Sequence, residues 1–521
     1  MPSESSTASV VGAESACQTG LEFLSRGDLT AACKAFEAAI ALAPSMAQAH
    51  LGLGNSLRRQ RKPHEAESAL RCACTLDPAL RDAAYSLAYL LHSAGRDAET
   101  AAALKNLAAR EPADLTLHRQ VAGLLMEFGC FEDAEPLARK IAEVAPAAGA
   151  WQRLGLCLLQ LKRLTEAEAA FTQAVHHDPL AGSAYLLMSQ TRCATEADRI
   201  RLGELQVIVE SGKIIGEARA CLHFALGNWL EDLGDYAAAW GQFSAGNELR
   251  RSERPFDRAV WQDYFLRLMN TGVDRDRNPS ARQTIQPLFL VGLPGTNAEP
   301  LASMLAVHPA ICSLGTSGQV DGLARACEQL ADAAYPGCLA KVEAAQLEGL
   351  GQGFRSDWPE KSPNSTWVLD ESQLNFLHLA LIVRVFPGSR IIYQHRHPMD
   401  DCLSAYLNPF IQPMHNHAHD LQNLGFFYRQ FSALMHHWQA SLPIETLLTV
   451  QTSPMLVGST AEIAAIWKFL DLDAPPPGEL QNLVSRTVPV TDPMRRDIPG
   501  RWRNYREHLV TLIEAVGPES E

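Results

Sequence analysis

Five prolines set the phase of the first half of this chain. Pro44, Pro78, Pro112, Pro146 and Pro179 are spaced by 34, 34, 34 and 33 residues. Inside each period the same residue types return at the same places. Gly20, Phe23, Gly27, Ala32, Phe36 and Ala39 precede Pro44; Gly54, Leu57, Ala66, Leu70 and Ala73 precede Pro78; Trp151, Leu154, Gly155, Leu158, Ala167, Phe171 and Ala174 precede Pro179. Small residues such as Gly20 and Ala32 let two helices approach closely. Phe36 and Phe171 fill the gap to the next pair. Proline, which lacks an N–H and clashes with the preceding turn, closes the second helix. The period therefore encodes a helical hairpin, repeated five times.

This pattern resembles the tetratricopeptide repeat, whose period is 34. The resemblance implies an α-helical superhelix with a groove that takes a protein or peptide partner. An array that only supports the rest of the chain satisfies the same pattern, and the sequence leaves both readings open. A diverged unit follows at Leu222-His223-Phe224-Ala225-Leu226-Gly227-Asn228-Trp229 and runs on through Gly234, Tyr236, Ala239 and Phe243. The interval from Leu180 to Ala220 is helical in pattern but off the period.

At 521 residues the chain exceeds one ordinary core. A net charge of -14 and a pI near 5.7 speak against a general nucleic-acid binder, which needs a basic surface. The twelve cysteines stand singly apart from Cys72 and Cys74, and no C-x-x-C pair occurs, which reads as free thiols in a reducing compartment. The first residues carry neither a basic region nor a long apolar core, and no segment reaches the roughly 18 apolar residues of a membrane span. The expectation is a cytoplasmic protein that contacts neither membrane nor nucleic acid. Residues 1–12 read as a flexible tail, 13–250 as the repeat array, 251–284 as a charged linker with Arg275, Arg277 and Arg282, 285–516 as a second domain, and 517–521 as a tail.

The second half alternates strand and helix signals. Leu288 to Val291, Trp367 to Leu369, Arg390 to Tyr393 and Thr446 to Val450 read as strands, and Phe376 to Val385 as a helix. Such alternation implies a mostly parallel central sheet. The first strand runs into Pro294-Gly295-Thr296-Asn297-Ala298-Glu299-Pro300 and then a helical stretch from Leu301. A strand, a turn and a helix N-terminus suit an anion, because the first N–H groups of a helix are unpaired. This loop nevertheless has no Lys or Arg, carries Glu299, and loses one N–H at Pro300.

Beyond the loop the chain resembles bacterial tetratricopeptide–sulfotransferase proteins, related to protein-tyrosine sulfotransferases. The resemblance is carried by Arg390-Ile391-Ile392-Tyr393-Gln394-His395-Arg396-His397-Pro398-Met399-Asp400-Asp401-Cys402-Leu403-Ser404-Ala405-Tyr406. It is supported by Asn375-Phe376-Leu377-His378-Leu379, by Asp420-Leu421 with Leu424-Gly425-Phe426-Phe427-Tyr428, and by Gly500-Arg501-Trp502-Arg503-Asn504-Tyr505. It implies a repeat superhelix followed by an α/β domain with a central parallel sheet, a P-loop-like sulfotransferase fold. It also implies transfer of a sulfuryl group from 3′-phosphoadenosine 5′-phosphosulfate (PAPS) to a hydroxyl. Arg396 and Ser404 match the family's Arg and Ser for the 3′-phosphate; Gly500, Arg501 and Trp502 match its C-terminal nucleotide-side segment. On its own chemistry an arginine there also pairs with a local carboxylate such as Asp400.

The 5′ side departs from the family. Its loop P-R-S-G-T-T aligns with Pro294-Gly295-Thr296-Asn297-Ala298-Glu299, so Gly295 replaces the Arg and Thr296 the Ser. Its D-K-M-P-D-N-F aligns with Asp370-Glu371-Ser372-Gln373-Leu374-Asn375-Phe376, so Glu371 replaces the catalytic Lys. The positions nearest its general base hold Thr316, or Gln319 after Gly318. Charge-assisted hydrogen bonds contribute roughly 1.5–3 kcal/mol each, so these losses forfeit on the order of 5–8 kcal/mol, roughly four to five decades of affinity or rate. The sequence thus favours a catalytically degenerate member that keeps at most adenosine 3′,5′-bisphosphate binding. The alternative is an active PAPS-dependent protein sulfotransferase in which another cation, such as Arg355 or Arg384, reaches the sulfuryl group. The run His415-Asn416-His417-Ala418-His419-Asp420 carries metal-ligating residue types, but stacked or hydrogen-bonded imidazoles account for it without a metal.

Overall fold

The computed structural model describes residues 4–60, 62–93, 96–273, 285–296, 298–356, 358, 365–452, 460–474 and 498–520. Arg275, Arg277, Arg282 and Asn297 lie outside the described residues. The chain divides into two compact units, Met1–Arg163 with Arg355–Glu360, and Leu164–Phe354 with Lys361–Glu521.

The first unit is a run of antiparallel helices: α1 (Glu4–Arg26), α2 (Leu29–Leu42), α3 (Ala47–Arg59), α4 (Pro63–Leu76), α5 (Arg81–Ser93), α6 (Asp97–Arg110), α7 (Leu115–Glu127), α8 (Phe131–Val144) and α9 (Ala148–Gln160). The second opens with α10 (Leu164–His177), α11 (Gly182–Met188), α12 (Arg199–Glu210), α13 (Gly216–Asp232), α14 (Tyr236–Glu253) and α15 (Arg258–Met269). Helices α2, α4, α6, α8 and α10 each end two residues before one of the five prolines. Aspartates start several helices: Asp28, Asp114 and Asp235 accept the first-turn N–H groups of α2, α7 and α14.

Glycine and a bulky partner sixteen residues later set the closeness of three hairpins. A Cβ on Gly20 would lie 2.7 Å from the Phe36 ring, one on Gly54 2.6 Å from Leu70, and one on Gly227 2.6 Å from Phe243. The last pair shows that α13–α14 is built on the same rule as the regular repeats, although its period has drifted.

The rest of the second unit is an α/β domain: β1 (Gln286–Val291), α16 (Glu299–Ala306), β2 (Ile311–Ser313), α17 (Gln319–Ala331), α18 (Ala344–Ser356), β3 (Trp367–Asp370), α19 (Leu379–Val385), β4 (Arg390–His395), α20 (Pro398–Leu407), α21 (Leu421–Ser441) and β5 (Leu447–Gln451). All strand pairs are parallel, in the order β2-β3-β1-β4-β5. Leu288, Phe289, Leu290 and Val291 of the central strand are fully buried, as an apolar run covered on both faces requires. One face packs on Leu301, Leu305, Ile466 and Trp467. On the other, Phe289 meets Phe386, with ring centroids 6.2 Å apart. Residues 251–284, read as a linker, include α15, whose Phe265 packs on Phe376 and Phe427.

The glycine rule is testable at its most diverged copy. Gly227→Ala should cost about 1–3 kcal/mol by overpacking against Phe243. Adding Phe243→Leu should recover part of that loss, as read by urea unfolding of the two variants.

Candidate functional site

In a sheet of this order the chain winds to one side of β1 through β2 and β3, then crosses to the other side for β4. The connections thus leave β1 and β4 in opposite directions, and open α/β sheets bind ligands over the carboxyl ends of the strands at such a point. Thr296, Glu371, Arg396 and Ser404 lie on the segments that follow the carboxyl ends of β1, β3 and β4.

The loop after β1 is closed by the chain's own side chains. Thr296 donates its hydroxyl to the Leu293 carbonyl at 2.9 Å. Gln373, just beyond β3, donates its amide to the Thr296 carbonyl (2.9 Å) and to Thr296 Oγ1 (2.8 Å). Its Oε1 accepts the Gly295 N–H at 3.3 Å. Gly295 sits at φ +97°, and a Cβ there would lie 2.8 Å from Phe410 Cζ and 3.0 Å from the Ala405 backbone of α20. An arginine at this position is thus excluded by both backbone conformation and space.

The loops after β2 and β3 are knitted in the same manner. Glu371 accepts the Ser313 hydroxyl at 2.5 Å, and its N–H donates to the Gly315 carbonyl. Buried Asp370 accepts the Ser317 hydroxyl (2.6 Å) and the Ser372 N–H (2.8 Å). Ser372 Oγ in turn accepts the Gly318 N–H. Arg384 donates to the carbonyls of Leu339 (2.8 Å) and Gly272 (2.6 Å), and Arg355 stands in the last turn of α18.

After β4, Arg396 and Ser404 are brought together: Arg396 Nη2 lies 3.4 Å from Ser404 Oγ, and both side chains are buried. Arg396 Nε also lies 3.2 Å from Asp401 Oδ1, a pair with side chains only 3% and 4% exposed. The carboxylate beside Arg396 is therefore Asp401. Asp400 instead accepts the N–H groups of Gly500 (2.7 Å) and Trp502 (3.2 Å), tying the C-terminal segment to the first turn of α20. Gly500 supplies the left-handed turn at φ +82°, and Trp502 stacks on His397 with centroids 5.3 Å apart. Arg501 makes a buried bidentate pair with Glu231 of α13, at 2.7 and 2.5 Å.

With this geometry in view, residues 287–476 match the sulfotransferase family model, and residues 17–80 and 122–184 match the tetratricopeptide repeat model. The chain joins tetratricopeptide repeats to a sulfotransferase-family domain. An uncharacterized protein of Aquifex aeolicus (strain VF5) is 23% identical over 422 residues, covering 75% of this chain and 53% of the relative, so the chain spans about half the length of the curated relative it matches. A tetratricopeptide repeat protein from Parabacteroides merdae superposes with a TM-score of 0.28 at 17% identity, over 48% of this chain and 96% of that one. MamA from Desulfovibrio magneticus RS-1 superposes with a TM-score of 0.25 at 17% identity, over 40% and 96%.

The residues that follow β1 and β3 do not fit a bound phosphosulfate donor. The Gly295 amide is taken by Gln373, and the Glu371 carboxylate, engaged with Ser313, adds negative charge after β3. Sequence reading missed Gln373, Glu231 and Phe410, because each acts across a distance that no local motif encodes, and Asp401, because its role turns on helix phase. Two histidines of the 415–419 run lie in aromatic packing, His417 on Phe427 at 3.6 Å and His415 on Phe410 at 4.3 Å, while His419 meets the Phe410 carbonyl. Among the described residues no three His, Cys, Asp or Glu side chains converge as a metal site requires.

Two outcomes follow from these buried groups. Burial holds His415 and His419 at about 4 and His417 well below the usual imidazole value. Groups whose folded pKa is depressed bind protons on unfolding, so stability should fall as pH drops from about 6.5 to about 4. His417→Phe should flatten that slope in denaturant titrations at stepped pH. Glu231→Ala should cost about 3–5 kcal/mol by stranding Arg501, whereas Glu231→Leu with Arg501→Met should cost much less, a comparison that thermal unfolding reads directly.

Proposed function

We propose that the sulfotransferase-family domain no longer transfers sulfuryl groups and serves as a scaffold for a protein partner gathered by the repeats. The observation that carries this reading is Gln373. Its amide satisfies the loop amide and carbonyl at the end of β1, so the loop is complete without an anion. The wall of Phe410 and α20 against Gly295, and the engagement of Glu371 with Ser313, support the same reading. So does Arg396, whose guanidinium already has Asp401 beside it at the position that would face a 3′-phosphate. The repeats favour a protein or peptide ligand by their architecture. No described helix is long and apolar enough to cross a membrane, and we place the protein's work in the cytoplasm.

Calorimetric titration with adenosine 3′,5′-bisphosphate tests the reading. We expect no heat of binding at millimolar ligand, and none in an Arg396→Ala control. We also expect PAPS-dependent transfer at least about four decades below an intact family site, from the forfeited charge-assisted contacts. Micromolar binding that disappears in Arg396→Ala would reject the scaffold reading and restore the transferase one.

A further inference from the structure

The groove of the first unit has about 380 Å³ of open volume and is lined by Leu21 of α1, Leu51 and Asn55 of α3, and Asp82, Tyr85 and Tyr89 of α5. It continues onto α7, because Tyr85 and Tyr89 donate their hydroxyls to Gln120 (3.1 Å) and Glu127 (3.4 Å). Positions 34 residues apart are equivalent in successive repeats. The position filled by Leu51 and Tyr85 is therefore filled by Arg119 on α7 and Arg153 on α9. One row along the groove thus changes from aliphatic to aromatic to two cations.

The two arginines are neighbours without a partner. Arg153 is half-buried, and burial together with the adjacent Arg119 charge lowers its pKa from the usual arginine value. Among the described residues no carboxylate pairs with either one. Elsewhere in the unit Arg71, Arg81, Arg96 and Arg139 each reach a Glu or Asp within 2.8 Å, whereas Arg58, which lines the same groove, adds a third cation to it. Two like charges left side by side cost stability, and a fold tolerates such a cost where a ligand relieves it.

We infer that this groove takes an extended acidic peptide, with carboxylates on Arg119 and Arg153 and an apolar side chain on Leu51, Tyr85 and Tyr89. This rests on the repeat-binding reading above and deepens it by naming the partner's chemistry. First helices of adjacent repeats lie roughly 10 Å apart, so apolar and acidic side chains of the peptide should be about three to six residues apart in an extended strand.

The test is selection of a random dodecapeptide display library on the full chain. Wild type should enrich Asp or Glu three to six residues from an aliphatic or aromatic residue. A fluorescein-labelled peptide of that consensus should bind about tenfold or more weakly to Arg119→Gln/Arg153→Gln, and wild-type affinity should fall with added salt. The double variant should melt at or above the wild-type temperature, since it removes a repulsion, which separates lost binding from lost folding. Selected peptides without an acidic bias, or a consensus peptide that binds both proteins equally, would overturn the inference and leave the groove reading standing. Selection of no peptide above background would overturn both.

Discussion

The sulfotransferase-family domain depends on how a parallel sheet satisfies the amides at its carboxyl edge. Loops leaving such strands present N–H groups that the ladder does not use, and in ligand-binding sheets an anion accepts them. Here side chains of the same chain accept them instead. Gln373 takes the Gly295 amide, Ser372 that of Gly318, Asp370 that of Ser372, and Asp400 those of Gly500 and Trp502. These acceptors tie the loops and the C-terminal segment to one another through the chain's own side chains.

The architecture was legible in the sequence because its signals are local and periodic. Each proline lies two residues past a helix end, and the same small and bulky residue types return in each period, so hairpin and phase can be read in one pass. The apolar run of β1 and the motif from Arg390 to Tyr406 likewise carry their own structure. That the loop after β1 carries no Lys or Arg was equally plain from residue type.

What closes the site was not legible, because the contacts are remote or turn on helix phase. Gln373 reaches a loop 77 residues away, and Glu231 meets Arg501 across 270 residues. Asp400 and Asp401 are adjacent in sequence, yet successive helical residues point about 100° apart. One therefore holds the C-terminal segment while the other sits beside Arg396. Charge type alone could not assign these roles. The histidine run has residue types that suit a metal, but His415 and His417 stack on Phe410 and Phe427, which flank the run in sequence.

The helices α13 and α14 belong to the same compact unit as the sheet, and their seam with it is polar as well as aromatic. Trp240 stacks on Tyr406 and His508, and Asn247 donates to the Tyr406 carbonyl at 2.9 Å. Glu231 and Arg501 seal the same seam with opposite charges. A sheet domain cut away at β1 would expose an aromatic face and strand a guanidinium. The piece that recombination can move between proteins is therefore the sheet together with its last helical hairpin.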